Sequence, residues 1–441
     1  MSKPLGVSEL LSILEEQLND LPDRRKKSNN TQYTVKDAFL SAFSVFFTQS
    51  SSFLEHQRLM QSQKGRDNAQ TLFGVEKIPC DNQIRQLLDL VPVNTVFPVF
   101  RSIYQHLEAV GALKAYDCFQ GNRLIALDGT EYFTSKQIHC EPCSQRTHKN
   151  GTTTYFHAAI TPVLVAPGKS QVISLQPEFI RPQDGASKQD SENAAAKRWI
   201  LAQGVDFSQT PTTLLGDDLY CHQPMCELAT ASGFHFLFTC KPDSHSYLYE
   251  WLEYSQSSGD LHTYTTRQWD GKRQLLYTYR YANGVPLRQA EPSLLVNWCE
   301  LTIIVPSDGT LVYRNAFASD HQIDESNVAD FVDAGRARWK VENENNNVLK
   351  TQGYNLEHNF GHGNNHLSSL LVCLNLLAFL FHTVLELTNQ TYQQVRQLLG
   401  TRKTFFNDIR ALTRYLLFES WDCLLEFILR EGNKPNWANS C

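Results

Sequence analysis

The chain has 441 residues, 41% hydrophobic and 20% charged, which is material for a large core in two or three domains and unlike a disordered or fibrous chain. Its 40 basic and 46 acidic residues give a formal charge of -6, so the bulk balance does not advertise a nucleic-acid binder, although a local basic channel can sit on an acidic protein. Eleven cysteines, an odd number scattered along the chain, do not form a secreted disulfide framework, and MSKPLGVSELLSILEEQL has acidic residues where a signal peptide needs an apolar run, so reduced thiols and a cytoplasmic setting are expected.

Residues 1–121 read as helical. Leu10, Leu11, Leu14 and Leu18 form a stripe at helical spacing, and TVKDAFLSAFSVFFTQ and NTVFPVFRSIYQHLEAVGAL continue in that style. The character changes at Asn122. RLIALDGT is a short apolar run ending in Asp-Gly, a strand entering a turn. TYFHAAITPVLVAPG is a second strand and QVISLQPEFI a third, with APGKS as the hairpin connection. DSENAAAKRWILAQG is a helix ending at Gly204, TTLLGDD a fourth strand, QPMCELATASG a helix closed by Gly233, and FHFLFTCK a fifth strand. Residues 244–325 lose this alternation and read as β-rich hairpins. Helical character returns at 326, runs through RARWKVENENNNVLK (336–350) and persists to the C-terminus. The apolar run 367–387 approaches the length of a membrane span, but Ser368, Ser369, Asn375 and His382 interrupt it, and a buried core helix is expected.

Three hairpin-linked strands followed by alternating helix and strand is the element order of an RNase H-like core, in which the first and fourth strands are neighbours. Asp128 ends the first strand here, Asp217 ends the fourth, and a late helix carries Glu342. Carboxylates a few ångströms apart repel by about 4 kcal/mol per close pair at an effective dielectric near 20, and without a counter-charge they take up protons. Oxygen-rich sites favour Mg2+ or Mn2+, and two such ions can activate a water or a 3'-hydroxyl against a phosphodiester. The plain alternatives are that Asp128-Gly129 is only a turn and that Asp217-Asp218 caps the helix that follows. At about 100° per residue, Glu342 lies about 40° from Arg338, whereas Glu344 lies roughly 160° from Glu342. Glu342 is therefore the glutamate expected to face the aspartates. Asparagines are poor helix formers, so side-chain hydrogen bonds or DNA are expected to hold the asparagine run in place.

LIALDGTEYF, TTLLGDDLY and RARWKVENENNNVLK resemble the three catalytic motifs of insertion-sequence DDE transposases, in particular the group whose third motif sets Tyr, Arg, Glu and Lys on one helix. The resemblance spans roughly 123–387, and the β-rich stretch is similar to that group's β insertion. It implies a mixed α/β fold with an RNase H-like core in two parts, 122–243 and 326–390. These are separated by the β-rich insertion 244–325 and flanked by a helical DNA-end-binding region 1–121 and a helical region 391–441 with dimer contacts. It implies Asp128, Asp217 and Glu342 as catalytic ligands of two Mg2+ or Mn2+ ions, and Arg338 and Lys350 as DNA contacts. A tryptophan of the insertion, Trp298 or Trp269, would stack on a flipped base, unless it merely packs the insertion's own core. The implied partners are double-stranded DNA, at the element's inverted-repeat ends and at the target, and a second copy of the chain, with no membrane. The competing readings are an inactive DNA-binding derivative and an RNase H-like nuclease without strand transfer. The chain departs from the motif twice: Gly335 stands at the tyrosine position, and Lys350 lies one residue beyond the lysine position, where Leu349 stands.

Other clusters remain. Cys140, Cys143 and His148 match the start of a structural zinc site, but Thr153 stands at the expected fourth ligand; His157 would complete a set across a hairpin, and free thiols in a loop are the competing reading. His358, His362 and His366 recur every four residues, but Gly361 and Gly363 argue for a polar loop over a metal-binding helix face. The basic runs at 24–27 and 146–149 are candidate phosphate contacts, or simply solvated charge.

Overall fold

The structure, a computed structural model, describes residues 5–19, 21, 23, 25, 32–61, 67–181, 190–207 and 210–432. It is mixed α/β. The strands are β1 (Arg123–Ala126), β2 (Gly129–Ser135), β3 (Ser144–Thr147), β4 (Thr153–Ile160), β5 (Val163–Val165), β6 (Ile173–Ser174), β7 (Glu178–Ile180), β8 (Thr212–Gly216), β9 (His235–Thr239), β10 (His262–Trp269), β11 (Gln274–Pro286), β12 (Leu295–Ile304) and β13 (Leu311–Ser319). A nine-stranded sheet runs β10-β11-β12-β13-β9-β8-β1-β5-β6, and a smaller sheet is built from β2, β4, β3 and β7.

The centre of the large sheet reads directly from the sequence. Both β1 and β8 are buried at every position, as expected for strands covered on both faces. They pair in parallel, from Arg123 opposite Thr212 to Ala126 opposite Leu215, and β8 pairs in parallel with β9. The chain therefore leaves β1 and β8 at the same edge, where Leu127 N–H still bonds Leu215 O at 2.9 Å. Asp128 and Asp217 follow at once.

The second and third expected strands each divide in two. TYFHAAITPVLVAPG becomes β4 in the small sheet and β5 in the large one, and QVISLQPEFI becomes β6 in the large sheet and β7 in the small one. The breaks fall at Pro162 and Pro177, where a missing N–H and a fixed φ let the chain change sheets. The hairpin at 166–169 joins β5 to β6 as expected, with Gly168 at φ +75°.

The helices are α1 (Val7–Glu16), α2 (Val35–Phe47), α3 (Phe53–Met60), α4 (Asn68–Phe73), α5 (Asp81–Leu88), α6 (Phe97–Ala109), α7 (Glu192–Phe207), α8 (Gln223–Ala231), α9 (Ser246–Ser258), α10 (Val328–Arg336), α11 (Asn347–Thr351), α12 (Leu367–Thr388), α13 (Gln390–Leu399), α14 (Arg402–Tyr415) and α15 (Trp421–Gly432). Two of them correct the sequence reading. Helix α7 runs through Gly204 to Phe207; a Cβ on Gly204 would sit 2.7 Å from Ser232 O, so this glycine permits a close approach to the end of α8 rather than ending a helix. The region 244–325 opens with α9, whose sequence SYLYEWLEYSQSS looks strand-like in its aromatics. Its buried residues, Leu248, Leu252 and Ser255, nevertheless lie at helical spacing. The four strands that follow extend the main sheet, because β13 pairs with β9.

Helix α12 runs through the core, and 89% of its most apolar window is buried inside the protein, although by length and composition it could cross a membrane. Its polar interruptions have protein partners: Asn375 Nδ2 donates to Tyr354 O at 2.7 Å, and His382 Nδ1 lies 2.6 Å from Tyr354 Oη. The N-terminal helices are part of this core. Phe43 packs on Phe381 of α12, and Phe47 on Trp421 of α15. Asn68 bonds the backbone at Thr413, Leu416 and Phe418. The two helical flanks thus pack against each other around α12.

Candidate active site

Asp128 lies in the two-residue link between β1 and β2 and is half-buried. Thr161 N–H donates to its main-chain oxygen at 3.1 Å, and Asn346 Nδ2 lies 3.3 Å from Oδ2. Burial, together with the neighbouring carboxylates of Glu192, Glu342 and Asp217, pushes its carboxyl up to about 7 from an ordinary 3.8, against the opposing pull of Arg338. Asp217 and Glu342 therefore both act on Asp128.

Asp217 and Asp218 separate cleanly. Asp218 is committed to the protein: Lys241 N–H donates to it at 2.7 Å, Ser244 Oγ also donates, and His245 Nε2 is 3.5 Å away. Asp217 accepts a turn bond from Leu219 N–H at 2.9 Å and is one of the carboxylates that raise the Asp128 carboxyl. Neither caps α8. Its N-cap is His222, whose side chain accepts from Met225 N–H at 3.2 Å.

Glu192 is a fourth acid that the sequence reading missed. It opens α7 and receives a 2.8 Å hydrogen bond from Tyr220 Oη. Burial holds its carboxyl above the usual range, Asp217 adds to this, and the Tyr220 and Gly129 donors oppose it. A Cβ on Gly129 would stand 2.5 Å from Glu192 Oε2, so glycine after Asp128 makes room for this carboxylate. In the sequence Glu192 is indistinguishable from an ordinary acid in a helix's first turn. Only the sheet order places that turn beside β1.

After a turn at Ala337 and Arg338 the stretch is helical from Trp339 to Lys350, with a local change of period. Across Val341–Asn346 the backbone forms a π-helix, with i→i+5 bonds in place of i→i+4, a rare element that recurs at functional sites. Each such turn takes up one residue more than an α-turn. Arg338 Nη1 lies 2.8 Å from Glu342 Oε1, and Glu342 is 49% exposed. Glu344 points elsewhere, into a groove it lines with Arg396 and Arg402. The asparagines are held by side-chain bonds. Thr161 Oγ1 donates to Asn346 Oδ1 at 2.8 Å, Asn345 Nδ2 to the same oxygen at 3.0 Å, and Asn347 Nδ2 to Asn343 Oδ1 at 3.2 Å. Lys350 pairs with Glu357 at 2.9 Å. Gly335 has a steric reason: a Cβ there would lie 2.8 Å from the Phe317 ring, so this backbone has no room for the motif's tyrosine.

Three expected contacts change. Trp298 is 1% exposed in β12, edge-on to Tyr249, and offers no face for a base to stack on; it packs the sheet. Trp269, at the end of edge strand β10, is 68% exposed. His148 does not join Cys140 and Cys143: its Nε2 lies 2.7 Å from Thr154 Oγ1, whereas the cysteines meet His157 and His362. His362 does lie in a loop, as Gly361 and Gly363 suggested. Of the basic runs, Arg146 pairs with Glu131 and covers the Phe156 ring, and 24–27 lies outside the described residues except for Arg25, which pairs with Asp23.

Asp217, Glu192 and Glu342 thus bring carboxylates from a strand end and two helices near enough to act on Asp128, with Arg338 beside Glu342. Such a set can hold hard divalent cations and orient a phosphodiester. No protein-family model and no curated protein sequence matches the chain.

Proposed function

We propose that the protein is a DNA transposase of the DDE type, with an RNase H-like core. It would bind the inverted-repeat ends of its element, cleave them and join the 3'-hydroxyls to target DNA. The observation that carries the reading is that Asp217 and Glu342, from segments far apart in the chain, lie near enough to Asp128 to raise its carboxyl, at the edge where parallel strands β1 and β8 end. The strand order β6-β5-β1-β8-β9, with only β5 antiparallel to the central strand β1 and with β6, β8 and β9 parallel to it, supports the core assignment.

The residues fit Mg2+ or Mn2+. The donors are carboxylate oxygens, and Asp128 carries a like-charge repulsion that a divalent cation relieves. Asp128 and Asp217 would hold two ions from the strand ends, and Glu342 would complete the set. When bound, these ions supply Lewis acidity and lower the pKa of an attacking water or 3'-hydroxyl. Asn346 and Thr161 hold Asp128 in place. Arg338, which pairs with Glu342 in the free protein, is released toward a DNA phosphate when Glu342 turns to the aspartates. Lys350 reaches DNA by exchanging Glu357 for a phosphate, and exposed Trp269 replaces Trp298 as the aromatic available for stacking. Synapsis of two ends requires at least two copies of the chain, acting on DNA in a prokaryotic cytoplasm.

The test uses DNA from the flanks of the coding region, pre-cut to expose 3'-hydroxyls, with a supercoiled target and Mg2+. Joined products from wild type and none from Asp128→Asn support the proposal. Cleavage without joining would point to a nuclease, and equal activity of the variant would remove the catalytic assignment.

A further inference from the structure

A second cluster lies away from the acidic site, where a loop meets the small sheet. Cys140 and Cys143 sit in a turn after β2, closed by Cys143 N–H to Cys140 O at 3.2 Å. His157 stands on β4 opposite Phe133, and His362 comes from the loop before α12. Cys140 Sγ is 3.6 Å from Cys143 Sγ and 3.4 Å from His157 Nε2; Cys143 Sγ is 3.4 Å from His157 Nε2 and 3.6 Å from His362 Nε2. All four ligand atoms lie within 4.8 Å of one another.

We infer that these four residues form a structural zinc site. Zn–S bonds of about 2.3 Å and Zn–N bonds of about 2.0–2.1 Å give tetrahedral edges of roughly 3.8 Å between sulfurs and 3.6 Å between sulfur and nitrogen. The four separations above match those edges within a few tenths of an ångström. A sulfur–sulfur distance of 3.6 Å is also far too long for a disulfide. Thiol hydrogen bonds do not account for the arrangement. Cys143 Sγ has one proton, yet two imidazole nitrogens, the Cys140 sulfur and the Cys140 N–H (3.4 Å) all converge on it. Two sulfurs likewise crowd His157 Nε2. A cation at the centre satisfies all four, with the two thiol protons lost to solvent on binding.

The frame is built before any ion enters. Asp89 accepts backbone N–H bonds from Asn364, Asn365, His366 and Leu367 at 3.0–3.1 Å, fixing the loop that carries His362. The Phe133 ring packs against His362 at 4.3 Å. Two sulfurs and two imidazoles suit zinc, and four protein ligands, the number grouped there among the described residues, suit a structural role. The ion would tie the loop before α12 to β4, the strand whose other end pairs Ile160 with Gly129, next to Asp128. It would be a clamp on the small sheet, independent of the chemistry at Asp128.

The full-length protein, expressed with added zinc and purified under reducing conditions, is analysed for metal by mass spectrometry. About one zinc per chain is expected. Replacement by Co2+ should give the intense visible bands of a tetrahedral thiolate site. His362→Gln, a mild change in a loop, should lose the zinc and the cobalt bands, and Cys143→Ser should do the same. His148→Ala should keep both. Reduced wild-type protein without zinc and without cobalt bands on titration would overturn the inference. So would full zinc retention by folded His362→Gln, or loss of zinc on His148→Ala.

Discussion

Removing the charge of Asp128 is expected to stabilise the metal-free protein at alkaline pH. Its carboxyl is held at about 7 when folded against 3.8 ordinarily. The folded state therefore binds this proton more tightly than the unfolded chain does. Stability linked to the group is fully present below about pH 4 and is lost as pH rises through about 7. The full difference corresponds to about 4 kcal/mol at 1.36 kcal/mol per pH unit. Water around half-exposed Glu342 screens part of the repulsion, so a gain of about 2–4 kcal/mol is expected for Asp128→Asn near pH 8 in EDTA, and little near pH 4. Urea midpoints of wild type and variant at both pH values measure it. Adding Mg2+ near pH 8 should close the gap by stabilising wild type alone. A variant no more stable than wild type near pH 8 would refute the reasoning, because burial and the neighbouring carboxylates would then impose no cost on the Asp128 charge.

Glu342→Gln should lower strand transfer by about 100-fold or more, whereas Glu344→Gln, on the groove with Arg396 and Arg402, should stay within about threefold of wild type. Equal effects in a product-forming assay would dissolve the distinction between the two glutamates. Gly335→Tyr, which restores the motif's residue, should destabilise the protein by about 1–3 kcal/mol through its clash with Phe317, read as a lower urea midpoint. Gly129→Ala should displace Glu192 and reduce metal-dependent activity with little loss of helix or sheet content by circular dichroism.

The parts legible in the sequence were those where one local pattern decides the outcome. The apolar runs of β1 and β8 end at Asp128 and Asp217, and the four-residue spacing of Arg338 and Glu342 does bring them into an ion pair. The asparagine run carried its own warning, since residues that poorly favour a helix need partners, and Thr161 and Asp128 supply them. What was not legible depends on contacts between distant segments. The divisions at Pro162 and Pro177 assign one run of strand-like residues to two sheets, a choice made by packing. Glu192 joins the acids only because α7 begins beside β1's end, and His362 meets Cys143 across 219 residues. The π-helix has no local signature in the sequence. Trp298 shows the opposite failure. Its residue type suggested a contact surface, whereas its strand position buries it between Ala282 and Ala318.

The central claim is that Asp128, Asp217 and Glu342 hold divalent cations for phosphodiester chemistry. Anomalous diffraction from crystals soaked in Mn2+ tests it most directly. The expected result is a manganese peak within about 2.5 Å of carboxylate oxygens of both Asp128 and Asp217, with Glu342 turned from Arg338 toward it. Manganese absent from this edge of the sheet in well-ordered, fully soaked crystals, with Glu342 still paired to Arg338, would contradict the account.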